Sequence, residues 1–215
     1  MKLPEHHPAK PRRDYAAIIF DCDGTLTDSM PVHYVAWHHT MTAHGIEFPE
    51  DRFYALGGMP SDQIIRLLAE EQAVAIDAAS AAQQKEAAFL ERLHLLEPIE
   101  TVLHVADFFR HRIPIAVASG GGREIVLKQL EKIGVSDWFH TIVAAEDTRR
   151  HKPHPDVFLE AARRLGVPPA DCLVYEDADL GLQAARAAGM DWIDVRTFYS
   201  PKRIPIQPEH HEVPK

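Results

Sequence analysis

Five short apolar runs, interleaved with stretches of helical periodicity, leave few architectures open to this chain. They are Tyr15–Phe20, Pro114–Ala118, Thr141–Ala144, Cys172–Tyr175 and Trp192–Val195. Such runs, mostly apolar rather than alternating, suit strands buried on both faces. Between them, Val126, Leu127, Leu130 and Ile133 form one helical stripe that stops at Gly134. Phe158, Leu159, Ala162 and Leu165 form another, opened by Pro155-Asp156 and closed by Gly166, and an alanine-rich third runs from Asp179 to Gly189. Strands alternating with helices predict an α/β fold, a Rossmann-like doubly wound parallel sheet with helices on both faces.

The alternation is interrupted once. Between Met30 and Leu96 no convincing strand occurs, and helices are expected over Pro31–His44, Ser61–Gln72 and Asp77–Leu95. Ile64, Ile65, Leu67 and Leu68 would supply the apolar face of the second, and Phe89, Leu90 and Leu93 that of the third. An all-helical insertion directly after the first strand predicts an inserted cap domain at 30–96, on a core built from 14–29 and 97–200. Residues 1–13 are expected to be a disordered tail. The C-terminal stretch 201–215, with four prolines and two histidines, is expected to be an irregular one.

Composition removes several classes of function. No apolar run approaches the roughly 20 residues needed to span a bilayer. The first 13 residues lack the apolar stretch of a secretory signal, and the segment after Arg12-Arg13 is too short for a twin-arginine one. A cytoplasmic protein with no membrane partner is expected. Cys22 and Cys172 lie in strand-like segments and are expected to be buried free thiols, with no Cys-x-x-Cys pair and no zinc spacing. None of the histidines makes a convincing metal site; His6-His7 and His210-His211 fall in the tails. The formal charge of −9 argues against a nucleic-acid partner.

The chemistry concentrates in Asp21-Cys22-Asp23-Gly24-Thr25-Leu26-Thr27-Asp28-Ser29, immediately after the first strand. Ligands of a parallel sheet bind beyond the carboxyl ends of its strands, where Asp21 falls. Residues two apart on extended chain point the same way, so Asp21 and Asp23 can share a site while Cys22 faces the core. Two carboxylates this close repel unless a cation lies between them, and hard oxygen ligands suit Mg²⁺. The alternative is a solvated acidic loop. Other strand ends carry complementary groups. Ser119 opens Ser119-Gly120-Gly121-Gly122, whose hydroxyl and N–H groups suit phosphate oxygens, although such turns also merely join strand to helix. Lys152 lies among prolines beyond the third strand, where a lone lysine could equally be solvated. Glu176-Asp177 follows the fourth strand, where it could equally cap a helix.

Asp-x-Asp-Gly-Thr, Ser119, Lys152-Pro153 and Glu176-Asp177, in this order, resemble the haloacid dehalogenase-like superfamily of phosphotransferases. The insertion after the first strand is similar to the cap of its β-phosphoglucomutase and sugar-phosphatase branch. The resemblance implies a phosphatase of small phosphorylated metabolites, sugar phosphates such as fructose 1-phosphate or 6-phosphogluconate, for which a monomer would suffice. It implies that Asp21 is the nucleophile, forming an aspartyl-phosphate, and that Asp23 is the acid and base. Ser119, Gly120 and Lys152 would hold the phosphoryl group. Mg²⁺ would be held by Asp21, Glu176 and Asp177, with the backbone carbonyl of Asp23. His33, Gly58 and Lys85 are the cap candidates for substrate contact, against the alternative of a solvated His and Lys; Trp37 and Phe89 are expected in the cap's own core.

Two rivals share these parts. A phosphosugar mutase would be expected to carry an arginine in the cap loop after its glycine, where Gly58-Met59-Pro60-Ser61-Asp62 has none and Arg66 lies a turn farther on. It would also carry Ala, Lys and Asn after Ser119, in place of the glycine run. A non-catalytic phosphate-binding protein would be free to lose the carboxylates that this chain retains.

Overall fold

A computed structural model of the chain describes Pro4 and residues 6–206. Five parallel strands, β1 (Ala17–Phe20), β2 (Ile115–Ala118), β3 (Thr141–Val143), β4 (Cys172–Glu176) and β5 (Asp191–Asp194), form one sheet in the order β3-β2-β1-β4-β5. The chain thus leaves central β1 in one direction and later returns to add strands on its other side. That reversal opens a crevice at the carboxyl end of β1, between β2 and β4.

Strand alternation sorts the two faces. Ile18 and Phe20 point into a cluster with Val102 and Ala106 of α5 (Glu100–Phe109) and Val126 and Leu130 of α6 (Arg123–Lys132). Ala17 and Ile19 point the other way, against Phe158 and Ala161 of α7 (Asp156–Leu165) and Ala184 and Ala185 of α8 (Asp179–Ala187). The doubly wound sheet expected from the pattern is present. The outward positions differ from expectation. On α6 the buried face is Ile125, Val126, Gln129 and Leu130, so Leu127 turns to solvent, and Leu159 does the same on α7. Trp192 is exposed because β5 is an edge strand with one neighbour only.

Four helices fill the insertion: α1 (Met30–Ala43), α2 (Glu50–Ala55), α3 (Ser61–Glu71) and α4 (Ala78–Glu91). α4 is shorter than expected and is followed by a separate 3-10 turn at Leu93–Leu95; α2 and, in the core, α5 have no counterpart in the sequence pattern read above. Tyr34, Trp37, Met41, Phe48, Phe53 and Ile65 pack into an apolar cluster with no partner from the sheet. A second cluster joins Val32, Ala36 and Phe89 to Ile125 of α6. Asp28 and Glu97, at the two crossings into and out of the insertion, are tied by the Asp28 N–H to the Glu97 carbonyl at 2.8 Å.

The described part of the N-terminal stretch is not loose. Ala9 is fully buried, and its carbonyl accepts the hydroxyl hydrogen of Tyr175 on β4. The apolar body of that tyrosine needs its polar tip satisfied, and the N-terminal stretch supplies the acceptor. At the other end, residues 199–206 run without regular structure from core to insertion. Tyr199 packs against the core and donates to Asp28 Oδ2 at 2.6 Å, which the Lys202 N–H also reaches at 3.1 Å. Lys202 Nζ pairs with Glu97, and Arg203 with Glu50 and Asp51 of α2. Ile204 and Ile206 then pack on the two clusters of the insertion. His210 and His211 lie outside the described residues. No helix among the described residues is long and apolar enough to cross a membrane.

Candidate active site

Asp21, Ser119 and Glu176 stand at the carboxyl ends of the three central strands, and Lys152 reaches them from beyond β3. All four side chains are buried. Lys152 Nζ donates to Asp21 Oδ1 at 2.6 Å and to Glu176 Oε2 at 2.7 Å. Although burial alone would lower its pKa, the two carboxylates hold the ammonium above its usual range. The solvated-lysine alternative is therefore corrected: the chain turns at His151–Pro155 to bring this group inward.

One cation does not balance what surrounds it. Asp21, Glu176 and Asp177 each offer a carboxylate oxygen within 4.8 Å of the others. Burial, followed by the charge of Glu176, pushes Asp21 up to about 8 despite Lys152. The same two causes, with Asp21 added, raise Asp177 well above the carboxylate range. Three hard oxygen donors converging with too little positive charge fit a small divalent cation. Two glycines make the crowding possible. A Cβ on Gly24, which also has a φ of +75°, would fall 2.1 Å from Asp177 Oδ2, and one on Gly181 would fall 2.0 Å from Glu176 Cδ. Neither acid caps α8, whose N-cap is Ala178 without a side-chain bond. Glu176 Oε1 instead accepts from the N–H groups of Asp177 and Ala178, and Thr25 Oγ1 donates to Asp177.

Asp23 stands outside that cluster. Its Oδ1 accepts from Ser29 Oγ at 2.7 Å, Gln129 Nε2 at 2.8 Å and His33 Nε2 at 2.9 Å. Lys85 Nζ, which has only hydrogens to give, lies 3.0 Å from His33 Nδ1. Nδ1 is thus the acceptor, and in the neutral ring Nε2 carries the proton donated to Asp23. Burial would raise Asp23, but His33, Ser29 and Gln129 hold it below the usual carboxylate range. Burial and then Lys85 lower His33. Asp23 Oδ2 faces the glycine turn, 3.4 Å from where a Cβ on Gly121 would sit. There Ser119 Oγ accepts the Gly121 N–H at 2.9 Å, which leaves its own proton for a ligand.

A cavity of about 290 Å³ joins these groups to the insertion. Gly120 and the Ser119 turn line its core side; Gly58, Trp37, Met59 and Ile64 line the other. His33 and Lys85 line it too, but neither is solvated: they are 8% and 4% exposed, stacked on or beside Phe89 and tied to Asp23 and Glu86. Phe89 is wholly buried, as expected of a cap-core residue, whereas Trp37 serves both cluster and cavity wall. Sequence reasoning gave no role to Ser29 or Gln129. Ser29 looks like a helix cap, but its hydroxyl is spent on Asp23 and α1 has no side-chain cap. Gln129 is a polar residue set into an apolar stripe, the one signal that could have singled it out.

Residues 18–195 match the model of the haloacid dehalogenase-like hydrolase family. The chain is 40% identical over 183 residues to the fructose-1-phosphate phosphatase YqaB of Escherichia coli, covering 85% of this chain and 97% of that protein. It is 30% identical over 183 residues to the β-phosphoglucomutase of Bacillus subtilis, covering 81% and 80%. Among solved structures, β-phosphoglucomutase from Clostridium difficile superposes with a TM-score of 0.76 at 25% identity, over 84% of each chain.

Proposed function

Since the chain belongs to the haloacid dehalogenase-like hydrolases and is a phosphoric monoester hydrolase, we propose that it is a Mg²⁺-dependent sugar phosphatase acting through an aspartyl-phosphate on Asp21. The observation that carries this reading is the meeting of Asp21 with Lys152, Glu176 and Asp177 at one crevice, with Asp23 aimed into it from a separate set of bonds. Fructose 1-phosphate, named for the Escherichia coli relative, and 6-phosphogluconate are the first substrates to test.

Ser119 and the turn after it hold the phosphate oxygens, and Lys152 offsets the charge that gathers on them. Asp21 attacks phosphorus while the bond to the sugar oxygen breaks, and Asp23, which the negative charge of the bound phosphate drives to take a proton from solvent on Oδ2, gives that oxygen the proton. Water then attacks the aspartyl-phosphate, its proton passes to Asp23, and the bond to Asp21 breaks to release phosphate. Asp21, Glu176, Asp177 and the Asp23 carbonyl would hold Mg²⁺, whose charge would help orient the phosphate and screen it from the carboxylates. The insertion covers the site as a cap, excluding bulk water and contacting the leaving group through Gly58 and the neighbouring wall.

A mutase must also grip a second phosphate. Lys85, the cap cation on this cavity, is already engaged by His33 and Glu86, while Arg66 is exposed and paired with Asp62. This favours hydrolysis over mutase chemistry. The test is phosphate release from a panel of phosphorylated sugars, nucleotides and small acids, with Mg²⁺ and with EDTA. Release that needs the metal and concentrates on hexose monophosphates is expected. Silence across the panel with Mg²⁺, or turnover of a sugar 1-phosphate only when its 1,6-bisphosphate is added, would overturn the proposal.

A further inference from the structure

Gln129 is fully buried on α6 and does not line the cavity, yet its amide is ordered at both ends. Thr27 Oγ1 lies 2.8 Å from Gln129 Oε1, and Gln129 Nε2 lies 2.8 Å from Asp23 Oδ1. A carboxylate requires a donor, which turns Nε2 toward Asp23; the threonine hydroxyl, able to give or take, then donates to Oε1. The Cys22 carbonyl, 3.1 Å from the same hydroxyl, shares its single hydrogen at the longer distance.

The three donors on Asp23 Oδ1 differ in what carries them. His33 rides on α1 of the insertion, and Ser29 sits at the crossing that leads into it. Gln129 belongs to the sheet-packing face of α6, between Val126 and Leu130 of the core cluster. It alone of the three is anchored where cap movement does not reach. Three donors also more than fill the roughly two lone pairs of one carboxylate oxygen. Proton exchange is left to Oδ2, on the side of Gly121 and Ser119.

We propose that Gln129 is a positioning residue for the acid–base step: it fixes the plane of the Asp23 carboxyl from the core, keeping Oδ2 aimed at the leaving oxygen whatever the position of the cap. The inference rests on the proposed aspartyl-phosphate mechanism. In the step concerned, the Asp23 Oδ2–H bond breaks, the proton goes to the bridging oxygen as its bond to phosphorus breaks, and Asp21 takes the phosphoryl group. Gln129 neither gains nor loses a proton.

Leaving-group dependence separates this role from a merely structural one. An alkyl oxygen must be protonated to depart, whereas p-nitrophenolate leaves unaided. The ratio kcat/KM reports events up to that departure and is blind to hydrolysis of the intermediate. Gln129→Met, close in length but lacking the donor, should lower kcat/KM for the best hexose monophosphate of the panel by about 10- to 100-fold, a fraction of what general acid catalysis supplies. For p-nitrophenyl phosphate the loss should stay within about threefold, because no proton is owed to that leaving group. Thr27→Val, which removes the hydroxyl that orients the amide, should give the same imbalance at smaller size and stands in if the methionine variant does not fold. Equal losses on both esters, or no loss on either, would overturn the proposal. Asp21→Asn and Asp23→Asn serve as controls. Full activity of the first, or equal losses on both esters for the second, would mean instead that the underlying mechanism is wrong.

Discussion

Lys152 Nζ donates to Asp21 Oδ1 across 2.6 Å, and both side chains are shut away from water. Removing one partner of such a pair strands the other, at a cost of about 3–5 kcal/mol. Lys152→Met is therefore expected to melt well below the parent and to lose at least about 10²-fold in kcat, the scale of one lost transition-state donor. Mg²⁺ should recover part of the melting temperature by restoring positive charge. Thermal scans with and without the metal check this; a variant as stable and active as the parent would contradict it.

Asp21→Asn keeps the shape of the site and removes the proposed nucleophile. Turnover should fall by at least about 10⁴-fold, with binding of a sugar phosphate retained. Calorimetric binding alongside single-turnover phosphate release would measure both. Near-normal turnover would rule out the aspartyl-phosphate.

The carboxyl of Asp21 is pushed by burial and by Glu176 up to about 8, so the proposed Mg²⁺ would compete there with protons. In the metal-free protein the folded state keeps a proton that an unfolded aspartate releases near pH 3.9. Its contribution to stability is complete below that pH and is lost as pH rises through about 8. Melting in EDTA should therefore fall between pH 6 and 8.5. Added Mg²⁺ should stabilise more at 8.5 than at 6, with protons released on binding. A metal effect larger at pH 6 would reverse the sign and refute the account.

Glu86 faces the substrate side of the cavity while pairing with Lys85 at 3.1 Å. Its charge should disfavour a leaving group that bears its own carboxylate. Glu86→Gln keeps an acceptor for Lys85 and should raise kcat/KM for 6-phosphogluconate relative to fructose 1-phosphate by about three- to tenfold, the effect of one partly screened charge. An unchanged ratio would remove Glu86 from specificity.

A chain ended after Tyr199 loses the Lys202 and Arg203 ties and the packing of Ile204 and Ile206. With roughly 2 kcal/mol at stake, melting should drop by about 4–8 °C. Amides of α1 should exchange faster and KM should rise while the chemical step persists. Unchanged exchange in α1 would show that these ties do not restrain the cap.

What the sequence made legible follows from where information is local. Asp21, Ser119 and Glu176 each fall one residue past an apolar run, and Lys152 lies among prolines eight residues past another, so strand ends and polar breaks marked them without any knowledge of contacts. Gln129 falls at no strand end; its place as a polar residue in an apolar stripe has no functional meaning until Asp23 is brought beside it from 106 positions away. Leu127 misled for the complementary reason, since its neighbours on the stripe decide the buried face and it falls just outside. His33 and Lys85 were legible as cap polar groups, but their burial depends on Phe89 and Trp37 closing over them. Ala9 was hidden by composition, because a charged, proline-containing stretch gives no hint that one small residue in it meets a buried tyrosine.

The path of residues 199–206 gives the molecule a built-in gauge. Tyr199 packs on the core and Ile206 on the helical cluster, so the distance between them would change if one body swung against the other. A pair of dyes at these two ends would read each opening in single molecules, with no label in the catalytic crevice.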